Sequence, residues 1–90
     1  MRKSIHRTEY AVLVGLLRER REAAAVTQSE LSEALGRSQS FISDLERGQR
    51  RLDLIELRDI CARLRIDLGK FVSELEARLR SQSSARKPHR

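Results

Sequence analysis

Apolar residues recur at helical spacing through most of the chain. Tyr10, Leu13, Leu17 and Ala24 follow one another at intervals of three, four and seven, with charged residues between them. This periodicity predicts a first amphipathic helix over roughly residues 8–24. The alternation typical of a β-strand is not visible anywhere, and no internal repeat is present. The pattern therefore predicts an all-α fold.

A capping box marks the start of a second predicted helix. Thr27, Gln28, Ser29 and Glu30 have the form of a capping box, in which the Thr27 hydroxyl meets the Glu30 amide and the Glu30 side chain reaches back. This helix is predicted to run to about Leu35.

A third, short helix is predicted after a turn. Gly36 can take the positive φ of a helix end, and Ser38 is the expected N-cap of the next helix. That helix carries Ile42 and Leu45 inward and ends near residues 47–48.

Two further helices follow a basic connection. Asp53 and Glu56 repeat the cap-and-return pattern, which predicts a fourth helix over about residues 53–64. Asp67 is the expected cap of a fifth helix. The apolar stripe of this fifth helix is long, and it consists of Leu68, Phe71, Val72, Leu75 and Leu79.

The positive charge of the chain is concentrated at its ends. The formal net charge is +6, yet residues 8–80 contain all 13 acidic residues and 13 of the 19 Lys and Arg. We therefore expect a basic N-terminal arm over residues 1–9, one domain over 10–80, and a disordered basic tail over 81–90. A positive net charge is a sign of nucleic-acid binding, but residues 8–80 carry no net charge. Evidence that this domain binds nucleic acid must therefore come from the pattern of its residues.

Several classes of function find no support in the sequence. Cys61 is alone and lies on an apolar helix face, which favours a buried small side chain over a nucleophile. His6 and His89 have no neighbouring cluster of ligands, so we expect no metal and no cofactor. No phosphate-binding glycine loop, nucleophile-base set, signal peptide or membrane span is apparent. The sequence predicts a non-enzymatic protein of a reducing cytoplasm.

The spacing of residues 28–45 is that of a helix-turn-helix. Counting Gln28 as the first position of a twenty-residue unit, Leu31, Leu35, Ile42 and Leu45 are apolar at positions four, eight, fifteen and eighteen, and the turn position nine is glycine. Two helices clamped in this way leave the second one protruding, which suits the major groove of DNA. Phe41 either adds to the clamp or lies beside it against the groove.

In these residues the sequence resembles the phage lambda repressor and Cro-like helix-turn-helix domains, also called the xenobiotic-response-element family. The resemblance covers about residues 13–76 and implies a five-helix, lambda-repressor-like fold. It rests on residues 27–31, 35–36, 38–43 and 45–48 and on the downstream Arg51-Leu52-Asp53.

The resemblance also implies roles for individual residues. Gln28 would bond a DNA phosphate, and Gln39 would bond the edge of an adenine. The expected base-facing residues are Ser38, Gln39, Ser40, Ser43 and Asp44, although without the motif these polar residues are typical of a solvated helix face. The arginines placed to meet phosphates are Arg37, Arg47, Arg50 and Arg51.

Other positions concern structure or depart from the family pattern. The resemblance implies a buried ion pair between Arg21 and Glu46. Ala25 and Arg65 stand where glycine is common after a helix, so a left-handed backbone there would be strained. Asp44 lies on the side of the third helix that would face the bases, here called the recognition face. There it would either accept a hydrogen bond from cytosine or reject wrong bases.

One such module contacts few base pairs, so we expect a homodimer on a pseudo-palindromic site. Phe71, Leu75 and Leu79 of the fifth helix are the predicted interface, with core packing as the other interpretation of that stripe. The predicted partner is double-stranded DNA, and the predicted function is a repressor that acts by occupying its operator. A regulatory partner protein, an antitoxin or restriction-modification controller role, a protein-binding adaptor and non-specific association through the arms are the alternatives.

Overall fold

A computed structural model describes residues 7–86, with side chains as far as Gln82, and all its regular elements are helices. The five helices are α1 (Thr8–Ala23), α2 (Gln28–Ala34), α3 (Phe41–Glu46), α4 (Leu54–Arg63) and α5 (Leu68–Arg86). The all-α, five-helix prediction is confirmed.

The starts of α2 and α4 are fixed by side chains adjacent in sequence. Thr27 Oγ1 accepts a hydrogen bond from the Glu30 amide at 3.0 Å, and Glu30 Oε1 accepts one from the Thr27 amide at 2.9 Å. Asp53 and Glu56 make the same reciprocal pair at the start of α4. Asp67 Oδ2 accepts from the Lys70 amide at 2.9 Å at the start of α5. Both predicted capping boxes and the predicted Asp67 cap are confirmed.

Helix α3 begins differently from the prediction. Ser38 is not its N-cap, because residues 38–40 form a turn in which the Phe41 amide donates to the Ser38 carbonyl at 3.0 Å. Ser40 precedes the helix without a side-chain capping bond. The Ile42 amide instead donates to the hydroxyl of Ser32, a buried residue of α2, at 3.1 Å. A side chain from the neighbouring helix thus accepts the hydrogen bond of an amide in the first turn of α3. The prediction had assigned this role to a capping residue close in sequence.

Four helices end in the same way. After α1, α2, α3 and α4 the chain passes through a residue of positive φ, namely Ala25 (60°), Gly36 (69°), Gly48 (73°) and Arg65 (61°). In each case the next amide donates back into the last turn, as from Val26 to the Arg21 carbonyl at 3.2 Å. This is the Schellman pattern, which satisfies carbonyls that a helix end leaves free.

The core is formed where α1 packs against α3 and α5, and where α4 packs against α2 and α5. On α1 the buried residues are Val14, Leu16, Leu17 and Arg21, while Ala24 is exposed. Tyr10 and Leu13 of the predicted stripe also pack against the core beside Leu17, whereas Ala24 lies just after the end of α1. Cys61 is buried as expected, and this burial raises the pKa of its thiol.

Helix α5 extends further than the sequence predicts. It continues to Arg86, so residues 81–86 are helical where a disordered tail was expected. No proline or glycine interrupts Ser81–Arg86, and these residues are compatible with a helix that is already nucleated by packing. Residues 1–6 and 87–90, with His6, His89 and most of the basic charge of both ends, lie outside the described residues. None of the helices in 7–86 is long and apolar enough to cross a membrane.

Candidate nucleic-acid interface

Helix α3 has a buried side and a polar side. Phe41, Ile42 and Leu45 are at most 4% exposed, whereas Ser43 and Asp44 are partly accessible. Since Phe41 lies in the core, it belongs to the clamp between the helices rather than to the groove-facing surface. The short helix is thereby held on α1 and α2 with its polar side outward.

The turn before α3 completes this polar surface. Ser38, Gln39 and Ser40 are all exposed, but they lie in the turn before α3 and not, as was predicted, on the helix face. The Ser43 hydroxyl donates to the Ser40 carbonyl at 3.1 Å, which joins the turn to the helix. The five residues expected to face bases therefore lie on this turn and on the outer side of α3, which together form a polar edge.

Glu46, the last residue of α3, is held by a buried hydrogen-bonded ion pair. Arg21 donates from Nε to Glu46 Oε2 at 2.6 Å and from Nη2 to Oε1 at 3.0 Å. The two side chains are 9% and 4% exposed, and Arg21 also donates to the Val26 carbonyl. The bond to Glu46 raises the pKa of Arg21. The structure thus brings together the two residues that the resemblance pairs, and they fix the end of α3 to α1.

Gln28 lies at the first turn of α2, beside this pair. Its Nε2 donates to Glu46 Oε1 at 2.8 Å. An amide nitrogen carries two hydrogens, so this bond orients the Gln28 side chain and leaves one hydrogen for another acceptor.

Arg47 and Asp44 pair on the polar side of α3. Their side chains approach to 2.6 Å between Nη2 and Oδ1 and are 57% and 36% exposed. An exposed pair of this kind adds little stability. It does mean that the acid expected on the recognition face neutralises the arginine next to it.

Arg37 and Arg50 share a single acid, Glu56, which the sequence pattern predicted only as a capping residue. Glu56 Oε2 lies 3.2 Å from Arg37 Nη1 and 3.1 Å from Arg50 Nη2. The bonds from Arg50, from the Asp53 amide and from Arg37 lower the pKa of Glu56 to about 2. Both guanidinium groups also stack over the Phe41 ring, at 4.1 and 4.5 Å from its centroid.

The loop after α3 is anchored to α1. The Tyr10 hydroxyl donates to the Arg50 carbonyl, and partial burial raises the Tyr10 pKa. Arg51 follows at an exposed position. Tyr10 was expected only as an apolar residue of α1, and its polar tip is therefore a link that periodicity could not show.

The predicted dimer residues have different environments. Phe71 is 1% exposed and belongs to the chain's own core, so its assignment to a dimer interface is wrong. Its position on α5 faces inward because α1 and α4 both pack there. Leu75 and Leu79 are partly exposed and line a groove of about 370 Å³ together with Tyr10, Leu13 and Leu52.

Two short helices clamped about a glycine turn, with a polar edge outward and arginines before and after it, define a DNA-binding protein of the helix-turn-helix class. Comparison with known proteins agrees, since a family model described as "Helix-turn-helix" matches residues 17–71. The chain belongs to the XRE family of helix-turn-helix proteins, as the sequence resemblance predicts, and it is a DNA-binding transcription regulator.

Two solved structures are similar over most of the chain. An XRE-family-like protein from Pseudomonas syringae pv. tomato is 47% identical, with a TM-score of 0.75, over 82% of this chain and 90% of that one. The clp gene regulator ClgR from Corynebacterium glutamicum is 26% identical, with a TM-score of 0.75, over 88% of this chain and 84% of that one. Among curated proteins no match was found.

Proposed function

We propose that this regulator is a sequence-specific repressor that binds a pseudo-palindromic operator as a two-fold dimer and acts by occupying it. The observation that carries the proposal is a polar edge, with residues 38–40 exposed and Ser43 and Asp44 partly exposed, next to a buried apolar clamp. An edge of hydroxyl, amide and carboxylate groups can both donate to and accept from bases in the major groove.

The proposed roles follow from position and chemistry. Gln39 is exposed in the turn, where its amide can pair with the N6 and N7 edge of adenine. Gln28 donates its remaining hydrogen to a phosphate at the start of α2. The other proposed base-facing residues are Ser38, Ser40, Ser43 and Asp44, and the proposed phosphate-facing residues are Arg37, Arg47, Arg50 and Arg51.

Dimerisation is supported by apolar surface that the single chain leaves uncovered. Leu54 and Ile55 at the start of α4 are each 64% exposed. They directly follow residues 52–53, and Leu52 lines the groove that Leu75 and Leu79 border. Across a two-fold axis, the exposed side chains of one protomer and the groove of its partner can form a single apolar contact surface. We propose this surface as the dimer interface, in place of one containing Phe71.

Selection of bound duplexes from a random library, followed by footprinting, tests the operator. The proposal predicts two symmetry-related half-sites whose centres lie about 10 base pairs, or a multiple of that, apart. In vitro transcription from a promoter that overlaps the selected site should fall as protein is added. Binding without an enriched sequence would instead indicate non-specific association, and absence of binding at low salt would favour the adaptor class.

Sedimentation velocity at tens of micromolar tests the dimer. The unmodified chain should sediment as a dimer, and Leu54→Glu/Ile55→Glu as a monomer that keeps the same helix content by circular dichroism. Ala77→Glu, an exposed position on α5, is the matched control and should remain dimeric. A monomeric unmodified chain at these concentrations would rule out the dimer.

A further inference from the structure

Glu56 connects the two loops that flank α3. Arg37 lies before α3, in the turn that follows α2, and Arg50 lies after α3, in the loop that leads to α4. Both guanidinium groups bond the same carboxylate, Arg50 through two nitrogens and Arg37 through one. One acidic side chain of α4 therefore holds a cation on each side of the recognition helix.

The arrangement has a rigid base. The Phe41 ring, 4% exposed, lies beneath both guanidinium groups. The Glu56 side chain is itself 17% exposed and is fixed by the Asp53 amide at 3.0 Å. Arg50 Nη1 also donates to the Arg51 carbonyl at 2.7 Å. Two long, flexible side chains are thus ordered by stacking and by hydrogen bonds at the same time.

We infer that Glu56 is a positioning residue that orders Arg37 and Arg50 for contact with DNA phosphates on the two sides of α3. This inference rests on the proposed function, in which both arginines meet phosphates. An arginine has five N–H donors, and the bonds to Glu56 leave each guanidinium with N–H groups for a further acceptor. Ordering the arginines in the free protein avoids part of the entropy lost on binding.

The sign of the effect separates this role from simple electrostatics. An acid near DNA repels phosphate, so removing it should tighten binding if Glu56 only competes with DNA for the arginines. If Glu56 positions the arginines, its removal should weaken binding although the protein becomes more positive. The two roles predict opposite changes.

The experiment measures binding to a fluorescein-labelled duplex of arbitrary sequence, because phosphate contacts do not depend on sequence. Glu56→Gln removes the charge but keeps an oxygen that can accept from the Asp53 amide, so the α4 cap is preserved. Asp59→Asn removes one charge from an exposed position on the same helix and is the matched control. Melting curves of all variants report folding.

We expect Glu56→Gln to weaken binding about tenfold. The plot of log affinity against log salt, which has a negative slope, should become shallower by about one unit. Asp59→Asn should bind as well as the unmodified chain or slightly better. Glu56→Asp keeps the charge but is one methylene shorter, so it should also weaken binding. In an Arg37→Gln/Arg50→Gln background, Glu56→Gln should no longer weaken binding, since the positioning effect acts through those arginines and only the repulsion of phosphate by the acid is left to lose.

Tighter or unchanged binding by Glu56→Gln, with the salt slope retained, would overturn the positioning role while leaving the proposed function intact. Equal binding by Glu56→Asp and the unmodified chain would also overturn it. Failure of the proposed function looks different: the unmodified chain would not bind the duplex even at low salt.

Discussion

At the scale of single residues, Ala25 and Arg65 adopt a backbone conformation that disfavours a side chain. Their φ angles of 60° and 61° match those of Gly36 and Gly48 at the equivalent helix ends. A Cβ atom in the left-handed region costs on the order of 1 kcal/mol. The hydrogen bonds of the Schellman pattern and the packing of the following residues hold both positions there.

Ala25→Gly should therefore leave the free energy of unfolding unchanged or raise it by up to about 1 kcal/mol, the gain being reduced by the greater freedom of glycine in the unfolded chain. Chemical denaturation measures this difference. Ala24→Gly is the matched control, because Ala24 has φ −85° and gains nothing from glycine, so it should destabilise the protein. A clear loss of stability in Ala25→Gly would contradict the account of this turn.

Glu56 gives stability a defined pH dependence. Its pKa is lowered from 4.5 to about 2, so its contribution is complete above pH 4.5 and is lost as the pH falls through about 2. The difference in unfolding free energy between the unmodified chain and Glu56→Gln should shrink over that interval. Glu19 and Glu74, whose pKa values are also lowered by arginine partners, remain in the variant, so both curves should still fall.

Urea denaturation at a series of pH values from 6 to about 2 makes this comparison. Curves that stay parallel across the whole interval would show that Glu56 is not held by its arginines.

Asp44 is a single residue whose contact with a base would affect the sequence specificity of binding. In the free protein its carboxylate pairs with Arg47, so a base that bonds Asp44 must compete with this arginine. Asp44→Asn should raise affinity for non-specific DNA, because a negative charge is lost and Arg47 is released, and should change the preferred base at one position of each half-site. Competitive selection with purified protein tests this, with Glu33→Gln, an exposed acid of α2, as the charge control. Unchanged base preference would remove Asp44 from base recognition.

At the scale of elements, helices differ in how much of their start is encoded nearby in the sequence. Helices α2 and α4 begin at capping boxes whose residues lie within three positions of one another, and both were predictable. The first turn of α3 is supported by Ser32, ten residues earlier on another helix, and sequence-local capping signals could not show this. The extent of α5 was also missed, because polar residues without a helix breaker are compatible with either a helix or a tail.

Thr27→Ala should lower the free energy of unfolding by about 1 kcal/mol, since it removes the oxygen that accepts from the Glu30 amide. Ser29→Ala, two residues further on at an exposed helical position, is the control and should be neutral or slightly stabilising. Thermal or chemical unfolding of the two variants measures the difference. Equal stability of both variants would show that the capping box contributes little to α2.

At the scale of the whole molecule, the spacing of apolar residues and one glycine predicted the helix-turn-helix and its family, because these positions are determined by local packing between two adjacent helices. The contacts that Glu56 makes with arginines were less predictable. Glu56 reaches Arg37 across 19 residues and Arg50 across six, and only the packing of α4 beside α2 places them together. The arrangement of Arg37 and Arg50 beside α3 therefore depends on an acid, Glu56, that the sequence pattern indicated only as a capping residue.

Gln39 lies on the edge formed by the turn before α3 and the outer side of α3, and a substitution there tests whether this edge recognises bases. Anisotropy titrations of the selected operator and of a scrambled duplex give a specificity ratio, which we expect to be about 10³ or more for the unmodified chain. Gln39→Ala should lower this ratio about tenfold or more, while Gln49→Ala, an exposed glutamine after α3, should leave it unchanged. A ratio that Gln39→Ala does not alter, or that both variants lower equally, would contradict base recognition by this edge.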